Sequence, residues 1–100
     1  MRLGQNFLAD PNLLQAIVRD SEVGPSDSVL EVGAGEGVLT ERLAAVAGQV
    51  HVIEIDRSLE PGLASTAALP NVNAIWADAV RYDLGSLRPE PTAMVANLPY

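Results

Sequence analysis

The chain has 100 residues, 48% of them apolar and 19% charged, which suits one soluble domain or part of one, with no apolar run near the roughly 18 residues of a membrane span. Six basic residues, all arginine, stand against thirteen acidic ones for a net charge of −7, a balance that repels a phosphate backbone and argues against this segment gripping nucleic acid alone. With no cysteine and a single histidine, His51, disulfides, thiolate metal sites and histidine metal clusters are excluded.

The N-terminus, Met1 to Asn6, lacks the apolar run of a secretory signal, and a cytoplasmic location is expected. Asp10-Pro11 reads as a helix cap followed by proline at the first helical position, and Leu13, Leu14, Ile17 and Val18 recur at helical spacing. That helix is expected to end before Gly24-Pro25. Val29 to Val32 forms a first strand that enters Gly33-Ala34-Gly35-Glu36-Gly37. A second helix carries Val38, Leu39, Leu43, Ala44 and Ala47 as its apolar stripe, with Gly48 as its C-cap. Val50 to Ile55 is the second strand. Asp56 caps a helix from Arg57 to about Ala67, which Pro61-Gly62 should kink or shorten. Val72 to Ala77 is the third strand and Ala93 to Ala96 the fourth, separated by a mostly irregular stretch with at most one helical turn. Such alternation is the pattern of right-handed crossovers in a parallel α/β sheet.

Ligands of parallel sheets bind at the carboxyl ends of the strands, where the chemically interesting residues cluster. Gly33, Gly35 and Gly37 let the backbone turn sharply and approach a ligand closely. The dinucleotide fingerprint wants its third glycine one position later, where Val38 stands, so NAD is disfavoured. Glu54 ends the second strand, placed to accept hydrogen bonds from ribose hydroxyls. Asp78, past the third strand, is suited to accept one from an exocyclic amine. After the fourth strand comes Asn97-Leu98-Pro99-Tyr100: an amide and backbone carbonyls that accept from an amino group, a stiff proline, and a ring on which a base can stack. His51 and Trp76 read as packing residues, and Arg57, Arg81 and Arg88 are too scattered for an RNA patch.

These motifs, in order, resemble the ribosomal RNA adenine N6-dimethyltransferases. Gln5-Asn6-Phe7-Leu8, Leu30 to Thr40 with its three glycines, Ile53-Glu54-Ile55-Asp56, Asp78-Ala79 and Asn97-Leu98-Pro99-Tyr100 carry the likeness over nearly the whole chain. The resemblance implies the N-terminal part of a Rossmann-like, three-layer methyltransferase fold with a mainly parallel sheet, spanning residues 1–100. It implies S-adenosylmethionine as cofactor, with Asn6, Leu8, Gly33, Gly35, Glu54, Asp78, Ala79 and Asn97 around it, and Asn97, Leu98, Pro99 and Tyr100 as the catalytic motif. Metal has no part in it. The implied substrate is adenine in small-subunit (16S) ribosomal RNA, and a monomer is expected. Leu98 and Asp78-Ala79 favour this branch over the large-subunit (23S) enzymes of macrolide resistance. A non-catalytic nucleotide-binding module remains the alternative of a different class.

Family members continue past the tyrosine with further strands and a helical RNA-binding domain, and carry basic residues before the Gln-Asn-Phe-Leu. Without those parts this chain is expected to be a fragment that binds cofactor weakly or not at all and turns nothing over. Incubation of the purified chain with ribosomal subunits and labelled methyl donor should transfer no label; measurable turnover would refute the expectation.

Overall fold

The computed structural model describes residues 11–96. Helix α1 (Pro11–Asp20) precedes strand β1 (Ser28–Val32), helix α2 (Val38–Val46) and strand β2 (Gln49–Glu54); a short 3-10 turn (Arg57–Leu59) leads into helix α3 (Glu60–Ala67), strand β3 (Val72–Trp76), a second 3-10 turn (Leu84–Ser86) and strand β4 (Ala93–Ala96). All strand pairs are parallel, in the order β3-β2-β1-β4. Among the described residues β1 and β2 are therefore central, and no helix is long and apolar enough to cross a membrane.

Period-two alternation divides the sheet's side chains between two faces. Val29 and Val50 meet Leu14 and Val18 of α1 and Leu39, Leu43 and Ala47 in and after α2, while Val52 and Ala34 meet Leu63 of α3. On the opposite face, Leu30 and Ile53 are covered by Leu87, with Tyr82 and Leu84 alongside. The long connection from β3 to β4 thus serves as a second layer. It is fixed by Pro89, whose carbonyl oxygen accepts from Ser28 Oγ at 3.1 Å and lies 2.8 Å from His51 Nε2. His51 is buried and its Nδ1 lies 3.1 Å from the Asn73 amide nitrogen, which makes it a packing residue, as the sequence suggested. At the start of β4, Thr92 binds the first residue of β1 in both directions, its N–H to Ser28 O at 2.7 Å and its Oγ1 accepting from Ser28 N at 3.1 Å.

The strands match the sequence reading to within one residue at each end, and the helix caps differ at three places. Proline fits the first turn of a helix, where its missing N–H has no partner to lose; α3 accordingly begins at Glu60 with Pro61 in that turn, and Pro61 shortens the helix instead of kinking it. Asp56 caps the preceding 3-10 turn by accepting from Ser58 N at 3.0 Å; the bond from the Ser58 hydroxyl, and then this backbone one, hold its carboxyl below the usual carboxylate range. Gly48 does not cap α2. That position belongs to Ala47 in extended conformation, and Asn71 donates its side-chain amide to the terminal carbonyls of Ala44 and Ala47.

Gly48 is needed for space. Its N–H donates to Asp27 O at 3.0 Å, and a Cβ there would stand 2.5 Å from the Pro25 carbonyl oxygen, closer than any carbon tolerates. Gly48→Ala should destabilise the chain by about 1–3 kcal/mol through this overpacking, read as a lower urea midpoint at unchanged m-value. An unchanged midpoint would mean that the Pro25 segment yields freely.

Candidate functional site

The carboxyl ends of β1, β2 and β3 lie side by side, and the sequence-predicted residues follow from them. Gly33 N donates to Ile53 O at 2.8 Å, extending the ladder by one bond before the chain leaves the sheet. Gly33, Gly35 and Gly37 have φ of 85°, 57° and 85°, left-handed values that other residues adopt at a cost. Gly37 is doubly constrained: it precedes α2 directly, and a Cβ on it would fall 2.7 Å from Leu63 Cδ1. Its role is to let α2 start against α3.

Glu54 closes the loop from the neighbouring strand. Its Oε1 accepts from Gly35 N at 3.1 Å and its Oε2 from Asp56 N at 3.0 Å. The side chain is buried to 8% exposure, yet each oxygen keeps a lone pair beyond the one in use. Gly33, Gly35 and Glu54 thus form one unit. Asp78 sits one strand farther out, where its Oδ1 accepts from Val80 N at 3.0 Å and its Oδ2 lies 3.8 Å from Arg81 Nε, so that it caps the turn after β3. Ala79 packs beneath, against the Leu30 and Ile53 cluster. Trp76 forms part of the wall, packed beside Leu63, with the Arg57 guanidinium 5.7 Å from its ring centre. Asn6, Leu8, Asn97, Leu98, Pro99 and Tyr100 lie outside the described residues. No group of three or more potential metal ligands occurs among the described residues.

Two residues of the site were not singled out from sequence. Ile55, next to Glu54, is 66% exposed, an apolar surface beside the end of β2. Glu31 is the other. It points into the helical layer at 0% exposure, flanked in register by Val52 and Val95, with Oε1 accepting from Thr40 Oγ1 at 2.5 Å and Oε2 unpartnered among the described residues. The available signal was positional: in Val29-Leu30-Glu31-Val32 the acid occupies the same face as Val29, a core position.

Burial pushes the Glu31 carboxyl up to about 7; the Thr40 hydroxyl pulls against this, and repulsion from Glu54 adds to it. The folded chain therefore keeps a proton that the unfolded chain, at about 4.5, releases. Stability supplied by this group is complete below the unfolded value and is lost as pH rises through about 7, a change of roughly 3 kcal/mol at 1.4 kcal/mol per unit. Urea unfolding at a series of pH values should show that decline in the native chain and its absence in Glu31→Gln; equal slopes would contradict the assignment.

The model of the family described as ribosomal RNA adenine dimethylase matches residues 1–100. The chain is 47% identical over 98 residues to the ribosomal RNA small subunit methyltransferase A of Deinococcus radiodurans, covering 98% of this chain and 33% of that protein. It is 46% identical over 100 residues to the probable enzyme of the same name from Methanococcus maripaludis, covering 99% and 37%. Among solved structures, a dimethyladenosine transferase from Plasmodium falciparum superposes with a TM-score of 0.75 at 29% identity, over 91% of this chain and 33% of the other. The 23S rRNA methyltransferase ErmE does so with 0.72 at 37% identity, over 91% and 36%. The chain spans about a third of the length of these curated relatives. With a family model matched from end to end on a parallel sheet of the methyltransferase type, the chain belongs to the ribosomal RNA adenine dimethylase family.

Proposed function

We propose that this chain is the cofactor-binding part of an enzyme that dimethylates N6 of adenines in small-subunit ribosomal RNA, with S-adenosylmethionine as methyl donor. The observation that carries the reading is the joining of the glycine loop to Glu54 through Gly35 at the ends of two central strands, in a chain whose relatives are named ribosomal RNA small subunit methyltransferases.

The residues fit the cofactor. The free lone pairs of Glu54 suit the two hydroxyls of a ribose, and exposed Ile55 offers an apolar face to an adenine. The loop's three left-handed glycines leave its backbone bare for close approach to an uncharged nucleoside. Asp78 has one oxygen capping its own turn and the other in a long contact with exposed Arg81, so an amine hydrogen can compete for it. Gly33 and Ala79 complete this wall, and Asn6 and Leu8 are assigned to the methionine end by the family motif. When bound, S-adenosylmethionine supplies an electrophilic methyl group on a sulfonium.

The chain's own contribution is placement. The N6 lone pair of adenine is delocalised into the ring, so acceptors on both N–H bonds, Asn97 and a backbone carbonyl at Leu98 or Pro99, draw the nitrogen toward a tetrahedral and more nucleophilic form. Tyr100 stacks on the base turned out of its RNA context. Holding donor and acceptor in line replaces a strong base, since orientation alone supplies much of such a rate. The acidic balance of this segment assigns the RNA grip to the remainder of the family's length. We assign the enzyme to the cytoplasm, acting as a monomer on the small ribosomal subunit. The likeness to ErmE, at 37% identity, supports a second reading in which the target adenine lies in large-subunit RNA.

Calorimetric titration with S-adenosylmethionine, using NAD as control, tests the cofactor. Saturable binding of the first alone is expected from a version long enough to include the strands after Tyr100, and Glu54→Ala should weaken it by about 10-fold or more through the lost charge-assisted bonds. In that longer version Asn97→Ala should lower the transfer rate roughly 100-fold with little effect on cofactor affinity. Retention of the full rate would favour a binding module without catalysis.

A further inference from the structure

The glycine loop is fastened on two sides by carboxyl groups, and one of them has no part in the function proposed above. Glu31 lies in β1 two residues before the loop, and Thr40 is the third residue of α2 after it. Their hydrogen bond therefore bridges the loop from end to end. Both side chains are fully buried. Across the loop, Glu54 holds Gly35 N. Among the described residues, the register partners of Glu31 are apolar: Val52 on β2 and Val95 on β4. On α2 Thr40 is its polar contact, and the acidic Glu36 and Glu41 of this segment are exposed. Glu54 is the charged group that acts on it.

We propose that buried Glu31, bonded to Thr40, is a proton-sensitive latch on the glycine loop: the loop stays closed while Glu31 carries its proton and opens more readily when Glu31 ionises, because burying the charge costs more than the Thr40 bond returns. Protonated, Glu31 is a neutral group that still accepts from Thr40. Ionised, it leaves Oε2 as a bare charge between two valines and opposite a second carboxyl, a state that burial strongly disfavours. Two events relieve it: the loop opens and water reaches Oε2, or a cation arrives at the carboxyl ends of the strands. The raised position of Glu31 puts the change near neutrality. Resting on the cofactor reading above, the same latch discriminates by charge, since ionised Glu31 favours a sulfonium donor over its neutral thioether product.

The test begins without ligand. Amide hydrogen exchange of the isotopically labelled chain, corrected for intrinsic base catalysis and followed between about pH 5.5 and about pH 8.5, should show protection at Gly35, Gly37 and Thr40 falling several-fold with one midpoint near neutrality. Glu31→Gln should abolish the transition. Thr40→Val should move the midpoint to higher pH, because the hydroxyl's bond to the ionised carboxyl is lost, whereas Thr40→Ser should keep it; a merely structural contact would shift protection without moving a midpoint. Flat protection in the native chain, or a native transition in Glu31→Gln, overturns the latch. In a second arm, run on the longer version that includes the strands after Tyr100, affinity for S-adenosylmethionine should rise more across this range than affinity for S-adenosylhomocysteine, and the difference should vanish in Glu31→Gln; parallel curves overturn the charge discrimination. A loop that titrates while the longer version binds neither ligand supports the latch and counts against the cofactor reading, whereas a longer version that binds the donor with a loop that does not titrate sinks the latch alone.

Discussion

Strand β1 has no free side. It is hydrogen-bonded along both edges, to β2 and β4, and packed on both faces, by α1 and α2 on one and by the β3 to β4 connection on the other. A strand so enclosed can end its ladder in few ways, and here it ends with Gly33 still bonded to Ile53 before turning away through left-handed backbone. The site is a product of that exit. Because the neighbouring strand runs parallel and one residue longer in register, Glu54 arrives beside the turn and takes up the Gly35 N–H.

This arrangement explains why the glycine loop should not be read through anion binding. Its N–H groups are largely occupied within the fold: Gly33 by Ile53, Gly35 by Glu54, Gly37 by Ala34. A phosphate would meet a loop already carrying a carboxylate on the inside, with another acid, Glu36, exposed on it. What the loop offers is shape, and a cationic, nucleoside-bearing ligand is electrostatically better matched to it than a dinucleotide.

Much of the fold was legible because the parallel strands and amphipathic helices follow local rules. The period of Leu14, Ile17 and Val18, the Asp56 cap and the strand-turn-helix around Gly33 all act within a few residues. Gly48 was misread for the opposite reason: the atom that requires glycine there belongs to Pro25, on a different segment, and no local pattern encodes it. Glu31 shares a face with core Val29 by alternation, yet its meaning depends on Thr40 nine residues away. Asp78 was recognised by its place in the strand series, a signal of topology, although its side chain also does the local work of capping a turn.

The fastening of Pro89 carries a consequence for how this fold tolerates change. With its carbonyl tied to Ser28 on β1 and close to His51 on β2, the connection over the second face is pinned to the sheet at one point and divided there. The part before it, around the exposed turn at Gly85 and Ser86, can vary in length without disturbing the sheet. Between Pro89 and Thr92 the spacing is fixed at both ends by bonds to Ser28, and a single inserted or deleted residue would throw β4 out of register with β1.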